Sequence, residues 1–261
     1  MTVDSGGRTV LVTGGNRGLG LETCRALHHL GVRVILTARD TAGGAAAAKA
    51  IGVDFAPLDV TSRDSIAALA TRLAREGRRI DVLVNNAAIA LDGFDAAVAR
   101  KTIDANVYGP LHVTEALLPV IPDGGGIVMV SSGVGELSGL SGPIRRALSD
   151  ERLTVERLLE TMESFVTAVG DDTWRDGGWP GSAYRLSKAG LNALTRIFAR
   201  EFAPRGIRVN AVCPGWVRTR MGGSSATRSI VEGAKSIVWG AMVPDDGTTG
   251  GFFRDGRSIR W

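Results

Sequence analysis

The chain has 261 residues, 44% of them hydrophobic, with a formal net charge of +4 and a sequence pI near 9.5. This length and apolar content suit one α/β domain with a sizeable core. Basic residues alternate with acidic ones and no eighteen consecutive residues are apolar, which argues against nucleic-acid binding and against a membrane span.

The first elements are a strand, a glycine turn and a helix. Thr9–Thr13 is a short β-branched run, and Leu19–Leu30 has helical periodicity. Glycines 14, 18 and 20 lie at the junction, although their spacing is not the usual Gly-x-Gly-x-x-Gly. In this context small residues let backbone amides approach a pyrophosphate, and the helix turns its positive end toward it. The junction therefore predicts a dinucleotide site.

Strands and helices then alternate. Strands are predicted at 32–38, 53–58, 80–84, 127–130 and 207–212, and helices at 42–51, 62–76 and 106–120. Parallel neighbours need crossover helices, so this alternation predicts a doubly wound parallel sheet of the Rossmann type, as a single domain over residues 1–261.

Residues 133–183 interrupt the rhythm. A structureless loop of that length would be unusual. An apolar stripe predicts a helix here, with Thr154 as its N-cap and Gly170 past its end. The stripe consists of Val155, Leu158, Leu159, Met162, Val166 and Val169.

A long helix then begins near Tyr184 and runs to about Ala203. Tyr184 and Lys188 are four residues apart, so both side chains lie on one helix face. A cation beside a phenol favours the phenolate and lowers the pKa of the tyrosine, so the pair can pass a proton near neutrality. Taken alone, the motif is weak evidence, because such pairs also arise by chance.

Metal and disulfide chemistry receive no support. Cys24 and Cys213 are the two cysteines, which is too few for a disulfide framework, and they predict reduced, buried thiols. The three histidines form no ligand pattern, so no metal site is expected.

The amino terminus has no basic stretch followed by an apolar run, which indicates a cytoplasmic protein.

Taken in order, these motifs resemble the short-chain dehydrogenase/reductase family over nearly the whole chain. The matching pieces are Thr13-Gly14-x-x-x-Gly18-x-Gly20, Asp59-Val60, Asn85-Asn86-Ala87, Asn106, Ser132, Tyr184-x-x-x-Lys188 and Pro214-Gly215. The insertion at about 133–183 and the segments around Tyr184 and Trp216 are similar to the carbonyl reductase branch. That resemblance implies an oxidoreductase that transfers a hydride from NADPH to a ketone, aldehyde or quinone.

The resemblance also implies roles for individual residues. Tyr184 would protonate the carbonyl oxygen, Ser132 would donate to the developing oxyanion, and Asn106 would hold a water that connects Lys188 to solvent. Lys188 would lower the pKa of Tyr184 and hold the nicotinamide ribose. The expected cofactor contacts are Gly14, Asn16, Arg17, Gly18, Leu19, Gly20, Arg39, Asp59, Val60, Asn85, Ala87, Tyr184, Lys188, Pro214, Gly215, Val217 and Thr219. Ala88 departs from the family, which usually has glycine there.

The cofactor choice depends on charge. An acidic residue at the end of the second strand would bind the ribose diol of NAD, but this strand ends in Arg39, and Arg17 lies in the glycine turn. Two guanidinium groups favour the 2′-phosphate of NADP(H). Asp40 is the counter-argument, and we expect it to face away or to cap the next helix.

Three other functions stay open: a regulator that binds NADP(H) without turnover, a nucleotide-sugar epimerase, and a secondary alcohol dehydrogenase working in the oxidative direction. A complete Ser132, Tyr184, Lys188 and Asn106 set argues against the regulator, and the short chain against the epimerase. Ser132, Val134, Trp179, Trp216 and Met221 are the candidate substrate contacts, although large apolar residues are as often ordinary core.

The inserted helix also bears on assembly. Most family members pair through the Tyr-x-x-x-Lys helix and the helix before it. The apolar stripe of the insertion must be buried, and that pairing face is the nearest apolar surface. We therefore expect a monomer; the alternative is that the stripe makes a new dimer contact.

Overall fold

Eight strands of the described chain pair into one sheet. The computed structural model describes residues 7–244 and 247–261; most of the amino-terminal segment considered above lies outside them. The strands are β1 (Thr9–Val12), β2 (Arg33–Ala38), β3 (Asp54–Pro57), β4 (Val82–Asn85), β5 (Gly126–Val130), β6 (Arg208–Val212), β7 (Phe252–Arg254) and β8 (Arg257–Ser258). Their order is β3-β2-β1-β4-β5-β6-β7-β8, and every pair is parallel except β7 with β8.

Helices connect the strands. They are α1 (Gly18–His29), α2 (Thr41–Ile51), α3 (Arg63–Arg75), α4 (Ala96–Ile103), α5 (Gly109–Leu117), α6 (Gly142–Ser149), α7 (Val155–Gly170), α8 (Ala183–Glu201) and α9 (Ile230–Ala241). No helix in the described part of the chain is both long and apolar enough to cross a bilayer.

The predicted doubly wound sheet is confirmed, and its topology locates a site. The strand order reverses between β1 and β4, which are neighbours in the sheet. In open parallel sheets, ligands bind outside the carboxyl ends of the strands at such a switch point. The glycine turn follows β1 and the Asn85-Asn86-Ala87 segment ends β4, so the two motifs meet there.

The structure corrects several predicted elements. The helix expected from residue 106 already begins at Ala96 and includes a π-helical turn, Asp104–Tyr108, between α4 and α5. Gly170 is the last residue of α7, not a residue beyond it. Helices α6 and α9 and strands β7 and β8 were not predicted. Helix α6 and strands β7 and β8 are short, with eight, three and two residues. Helix α9 has a local signal that the prediction overlooked, a capping box formed by Ser229 and Glu232.

The inserted helix α7 packs against the helices of the main fold. Its buried residues belong to the same apolar cluster as α4, α5 and α8; they are Leu158, Met162, Phe165, Val166 and Val169. A Cβ at Gly190 of α8 would lie 3.0 Å from Sδ of Met162, so the glycine permits close approach. Arg100 of α4 donates to Glu163 of α7 at 2.6 Å. Thr154 caps α7, as predicted.

Candidate active site

The turn after β1 contains glycines at positions where a residue with a side chain would not fit. Gly14 and Gly18 have φ of +64° and +54°, which glycine adopts without strain. A Cβ at Gly14 would lie 3.0 Å from Cα of Ala87, and a Cβ at Gly20 would overlap the carbonyl oxygen of Gly14. Backbone therefore approaches backbone closely at the N-terminus of α1, as a pyrophosphate cradle requires.

Two polar side chains that the site prediction did not include hold this turn in place. The hydroxyl of Thr13 accepts from the amides of Asn86 and Ala87, both at 2.9 Å. Nδ2 of Asn86 donates to the carbonyls of Thr13 at 2.8 Å and Gly14 at 3.2 Å. Thr13 lies in the glycine motif and Asn86 in the Asn85-Asn86-Ala87 motif. Their roles become apparent only when β1 and β4 are seen to be neighbours.

The electrostatics of this end fit a phosphorylated dinucleotide. Helix α1 has no side-chain cap and no acidic residue in its first turn, so its positive end is open. Arg17 and Arg39 are both exposed, and within the described residues neither side chain forms an ion pair. Asp40 is occupied elsewhere: its carboxylate accepts from the Gly43 amide at 3.0 Å and caps α2, as expected.

The remaining expected nucleotide contacts differ in how their side chains are used. Oδ1 of Asp59 accepts from the amide and hydroxyl of Thr61, at 2.9 and 2.7 Å. The expected contact of the Asn85 side chain with the cofactor is wrong. This side chain turns into the core and donates to Oγ1 of Thr114 at 3.0 Å. Only the backbone of Asn85 is therefore left to line a ribose.

The loop after β6 reaches back to the glycine turn. Gly215 has φ of +80°, and a Cβ there would lie 2.6 Å from Cδ of Arg228. Val217 is buried, and a Cβ at Gly18 would lie 3.8 Å from Cγ2 of Thr219. The segment 214–219 thus comes close to the cradle at Gly18, consistent with its predicted cofactor role.

The predicted proton donor, its partner and the oxyanion donor come together at the carboxyl ends of β5 and β6. Ser132 follows β5 and hydrogen-bonds to the hydroxyl of Tyr184. Nζ of Lys188 donates to the Val130 carbonyl at 2.9 Å and lies 5.6 Å from the centre of the Tyr184 ring. Lys188 is only 2% exposed. Ser182 caps α8 and thereby fixes the start of the helix at Ala183, one residue before Tyr184.

The pKa values of the pair differ from the expectation that Lys188 lowers the pKa of Tyr184. Burial raises the pKa of Tyr184 to about 12, opposed by the hydrogen bond with Ser132. Burial also lowers the pKa of Lys188 to about 8. Desolvation dominates both groups because it penalises the charged form of each. At neutral pH, Tyr184 is a phenol and most Lys188 is charged.

Asn106 has a different immediate role from the one expected. It is fully buried in the π-helical turn, where Oδ1 accepts from the amide of Ile89 and Nδ2 donates to the carbonyl of Ile89, both at 2.8 Å. Nδ2 also lies 3.0 Å from Oγ of Ser187 on α8. The carboxamide therefore ties the chain after β4 to α8. Its connection to solvent through a water stays a prediction.

A further group missed by the site prediction fixes the turn Ser132–Gly135. Sγ of Cys213 accepts from the amide of Gly133 at 3.2 Å and from Nη2 of Arg254 at 3.1 Å. Asn192 of α8 donates to the Gly135 carbonyl at 3.2 Å. Ser132 is thus held through its neighbours. No spacing in the sequence could indicate this, because the partners come from β6, β7 and α8.

The expected substrate contacts separate into two groups. Val134, Trp216 and Met221 are exposed by 39%, 54% and 48%, in the segments that follow β5 and β6. The expected substrate contact of Trp179 is wrong. Its side chain is partly buried and packs against Phe165 of α7, with ring centroids 5.7 Å apart. It belongs to an aromatic cluster that anchors the insertion, since Phe165 also lies against Phe94.

Comparison with known proteins agrees with this geometry. Residues 8–144 match the model described as short chain dehydrogenase, and residues 156–243 match the related model described as enoyl-(acyl carrier protein) reductase. The chain belongs to the short-chain dehydrogenase family.

Several relatives resemble the chain over nearly their full length. Human carbonyl reductase (NADPH) 1 is 39% identical, over 99% of this chain and 100% of its own. The structure of salutaridine reductase from Papaver somniferum superposes with a TM-score of 0.88 at 33% identity, covering 95% of this chain and 99% of that one. Menthone neomenthol reductase from Mentha piperita gives 0.84 at 30% identity, covering 96% and 99%.

Proposed function

We propose that this short-chain dehydrogenase is an NADPH-dependent carbonyl reductase, with Tyr184 as the proton donor to the substrate oxygen. The observation that carries the proposal is the meeting of three groups at the carboxyl ends of the strands: a partly buried phenol, the Ser132 hydroxyl bonded to it, and a buried ammonium 5.6 Å from its ring. Beside them lies a glycine cradle with two unneutralised guanidinium groups.

Tyr184 can serve either direction of the reaction, because proton transfer is reversible. In the reductive direction the phenol gives up its proton. With a pKa raised to about 12, Tyr184 holds that proton at neutral pH. The ammonium of Lys188 then stabilises the phenolate that proton transfer creates, and Ser132 donates to the substrate oxygen while negative charge develops there.

NADP(H) is the cofactor that the open charges favour. Arg17 and Arg39 would hold the 2′-phosphate, the residues of the glycine turn would hold the pyrophosphate, and Lys188 would hold the nicotinamide ribose. When bound, the nicotinamide supplies the hydride. The bovine and human relatives, each 39% identical, are called carbonyl reductase (NADPH), which agrees with this choice.

The substrate class follows from the exposed apolar side chains. Val134, Trp216 and Met221 are exposed apolar side chains in the segments that follow β5 and β6, and they would form a mainly hydrophobic wall for a substrate bound at Ser132. This favours small-molecule ketones, aldehydes or quinones with an apolar body.

The burial of the α7 stripe against α4 and α8 supports a monomer, because the helices through which family members pair are covered by the chain's own insertion.

An NADPH-consumption assay tests the proposal. Purified protein is screened against neutral aliphatic ketones, aryl ketones, aldehydes and quinones, and each assay is repeated with NADH. We expect turnover of apolar carbonyl compounds with NADPH and much slower turnover with NADH. NADPH binding by fluorescence titration without turnover of any class would instead favour the regulator that binds cofactor without catalysis.

A further inference from the structure

Val134 is oriented through its own carbonyl group. Nη1 of Arg185, the residue after Tyr184 on α8, donates to the carbonyl oxygen of Val134 at 3.0 Å. The amide of Val134 faces Oγ of Ser132 at 3.4 Å, and its side chain is 39% exposed. The direction of this apolar side chain, two residues from the oxyanion donor, therefore depends on a contact with α8.

The guanidinium group of Arg185 lies in a slot that a glycine leaves open. A Cβ at Gly139 would overlap Nη1 of Arg185 and lie 3.3 Å from its Cζ. Gly139 is not among the glycines with positive φ in the described chain, so its backbone does not require glycine. The missing side chain thus makes room for the guanidinium, which keeps Nη1 on the Val134 carbonyl.

We propose that Arg185 is a positioning residue that sets substrate selectivity by holding Val134 at the wall of the substrate cleft; this rests on the proposed carbonyl reduction. Arg185 acts on the wall and not on the reacting atoms. Arginine suits the task because it is long, planar and always charged, and a charge-assisted hydrogen bond fixes a carbonyl well.

The consequence differs between substrates. Without Arg185, the turn keeps its bonds to Cys213 and Asn192, so Ser132 stays in place and small aldehydes react as before. A bulky aryl ketone, which must lie against Val134 while its carbonyl reaches Ser132 and Tyr184, loses part of its binding surface. The contact is partly exposed to solvent, so the effect on this substrate is moderate.

Four variants test the proposal. Arg185→Met removes the donor, and Gly139→Ala displaces the guanidinium without changing any charge. Arg185→Lys restores a donor, and Arg145→Met is the matched control. Arg145 is an exposed arginine on α6 with no side-chain hydrogen bond or ion pair to any described residue.

In Arg185→Met and in Gly139→Ala we expect kcat/KM for a bulky aryl ketone to fall roughly three- to tenfold, with that for a small aldehyde within about twofold. Arg185→Lys should recover part of the loss. The double variant should be no worse than either single one, because both remove the same contact. Arg145→Met should behave like wild type.

Hydrogen–deuterium exchange separates this proposal from the proposed function. Peptides covering 132–140 should exchange faster in Arg185→Met and Gly139→Ala but not in Arg145→Met, whether or not the wild type turns over any carbonyl compound. Unchanged exchange together with unchanged selectivity overturns the proposal. A loss confined to ketones that carry a carboxylate, in Arg185→Met alone, also overturns it, since Arg185 would then bind substrate directly.

Discussion

The two ends of the proposed site carry positive charge in opposite ways. At the nucleotide end, Arg17 and Arg39 are exposed and have no acidic partner in the described chain. At the catalytic end, Lys188 is 2% exposed, and its ammonium lies against a backbone carbonyl and a phenol. The same charge has kept its hydration at one end and lost it at the other.

This difference separates recognition from chemistry. Exposed guanidinium groups attract an anion over some distance, and salt weakens that attraction. A buried ammonium contributes little to attraction, but its charge depends on pH because burial lowers its pKa to about 8. Salt should therefore act mainly on cofactor affinity, and pH mainly on turnover.

The largest expected effect comes from Tyr184→Phe. Removing the phenol deletes the proton donor, and we expect kcat to fall by roughly a hundred- to a thousandfold. NADPH affinity should stay close to wild type, because the ring remains and the nucleotide end is untouched. Steady-state kinetics and fluorescence titration measure the two quantities. Near-wild-type turnover in this variant would remove Tyr184 from the mechanism.

Lys188→Met should reduce turnover and cofactor affinity together while making the protein more stable. Methionine carries no desolvation cost, so we expect the free energy of unfolding at pH 7 to rise by about 2 kcal/mol, after allowing for the lost bond to Val130. Urea unfolding measures it. Lys101→Met, an exposed lysine on α4, is the control. Lower stability in Lys188→Met would contradict the cost assigned to burial.

Arg39→Ala should weaken NADPH binding selectively. A charge-assisted contact with the extra phosphate is worth about 1.5–3 kcal/mol, or roughly tenfold to more than a hundredfold in affinity. NADH affinity should change little, and the loss should shrink at high salt. Arg33→Ala, at the opposite end of β2, is the matched control. Equal losses for both cofactors would make Arg39 a structural residue.

The pH dependence of turnover should have an alkaline limb set by Lys188. Its pKa is lowered to about 8, so the ammonium is present below that pH and lost as pH rises through it. We expect kcat to fall roughly tenfold between pH 7 and pH 9, well before the phenol of Tyr184 ionises near 12. A flat profile over this range would mean that the charge of Lys188 does not assist proton transfer.

The smallest effect belongs to the insertion. Glu163→Gln weakens the contact of α7 with Arg100 and Tyr108, and we expect a loss of about 1 kcal/mol in stability, because the pair is partly exposed. Arg100 and Tyr108 hold the pKa of Glu163 near 2, so the contribution is present above pH 4.5 and disappears as pH falls through about 2.

Light scattering should give one species near 27.4 kDa for wild type and variant. A stable wild-type dimer would contradict self-covering by α7.

The sequence predicted the elements whose signal is local. Strands β1, β2, β4 and β5 are mainly apolar runs, and α7 has a stripe and a capping threonine, so each could be found without knowing its neighbours. Helix α6 could not, because its eight residues are ordered by tertiary contacts: Ile144 and Leu148 enter the core, and Arg196 donates to carbonyls at its end.

The site divides in the same way. Tyr184 and Lys188 were paired because their spacing puts both on one helix face, whereas the role of Ser132 was taken from the resemblance to the family. The directions of Asn85 and Trp179 could not be found, since each depends on a partner far away in sequence, Thr114 and Phe165. The pKa of Tyr184 was expected to fall because a nearby cation was considered without the burial that opposes it.

The π-helical turn at Asp104–Tyr108 makes the position of Asn106 depend on a residue count. Such a turn holds one more residue than an α-helical turn, and each residue rotates a helix by about 100°. Deleting one residue there would close the turn to an α-helical one and redirect Asn106, while α5 kept its core face, because the wide turn accommodates the one extra residue. The family's sequences should therefore tolerate substitution in this turn more readily than a change of length, and an alignment gap placed within it would misassign Asn106.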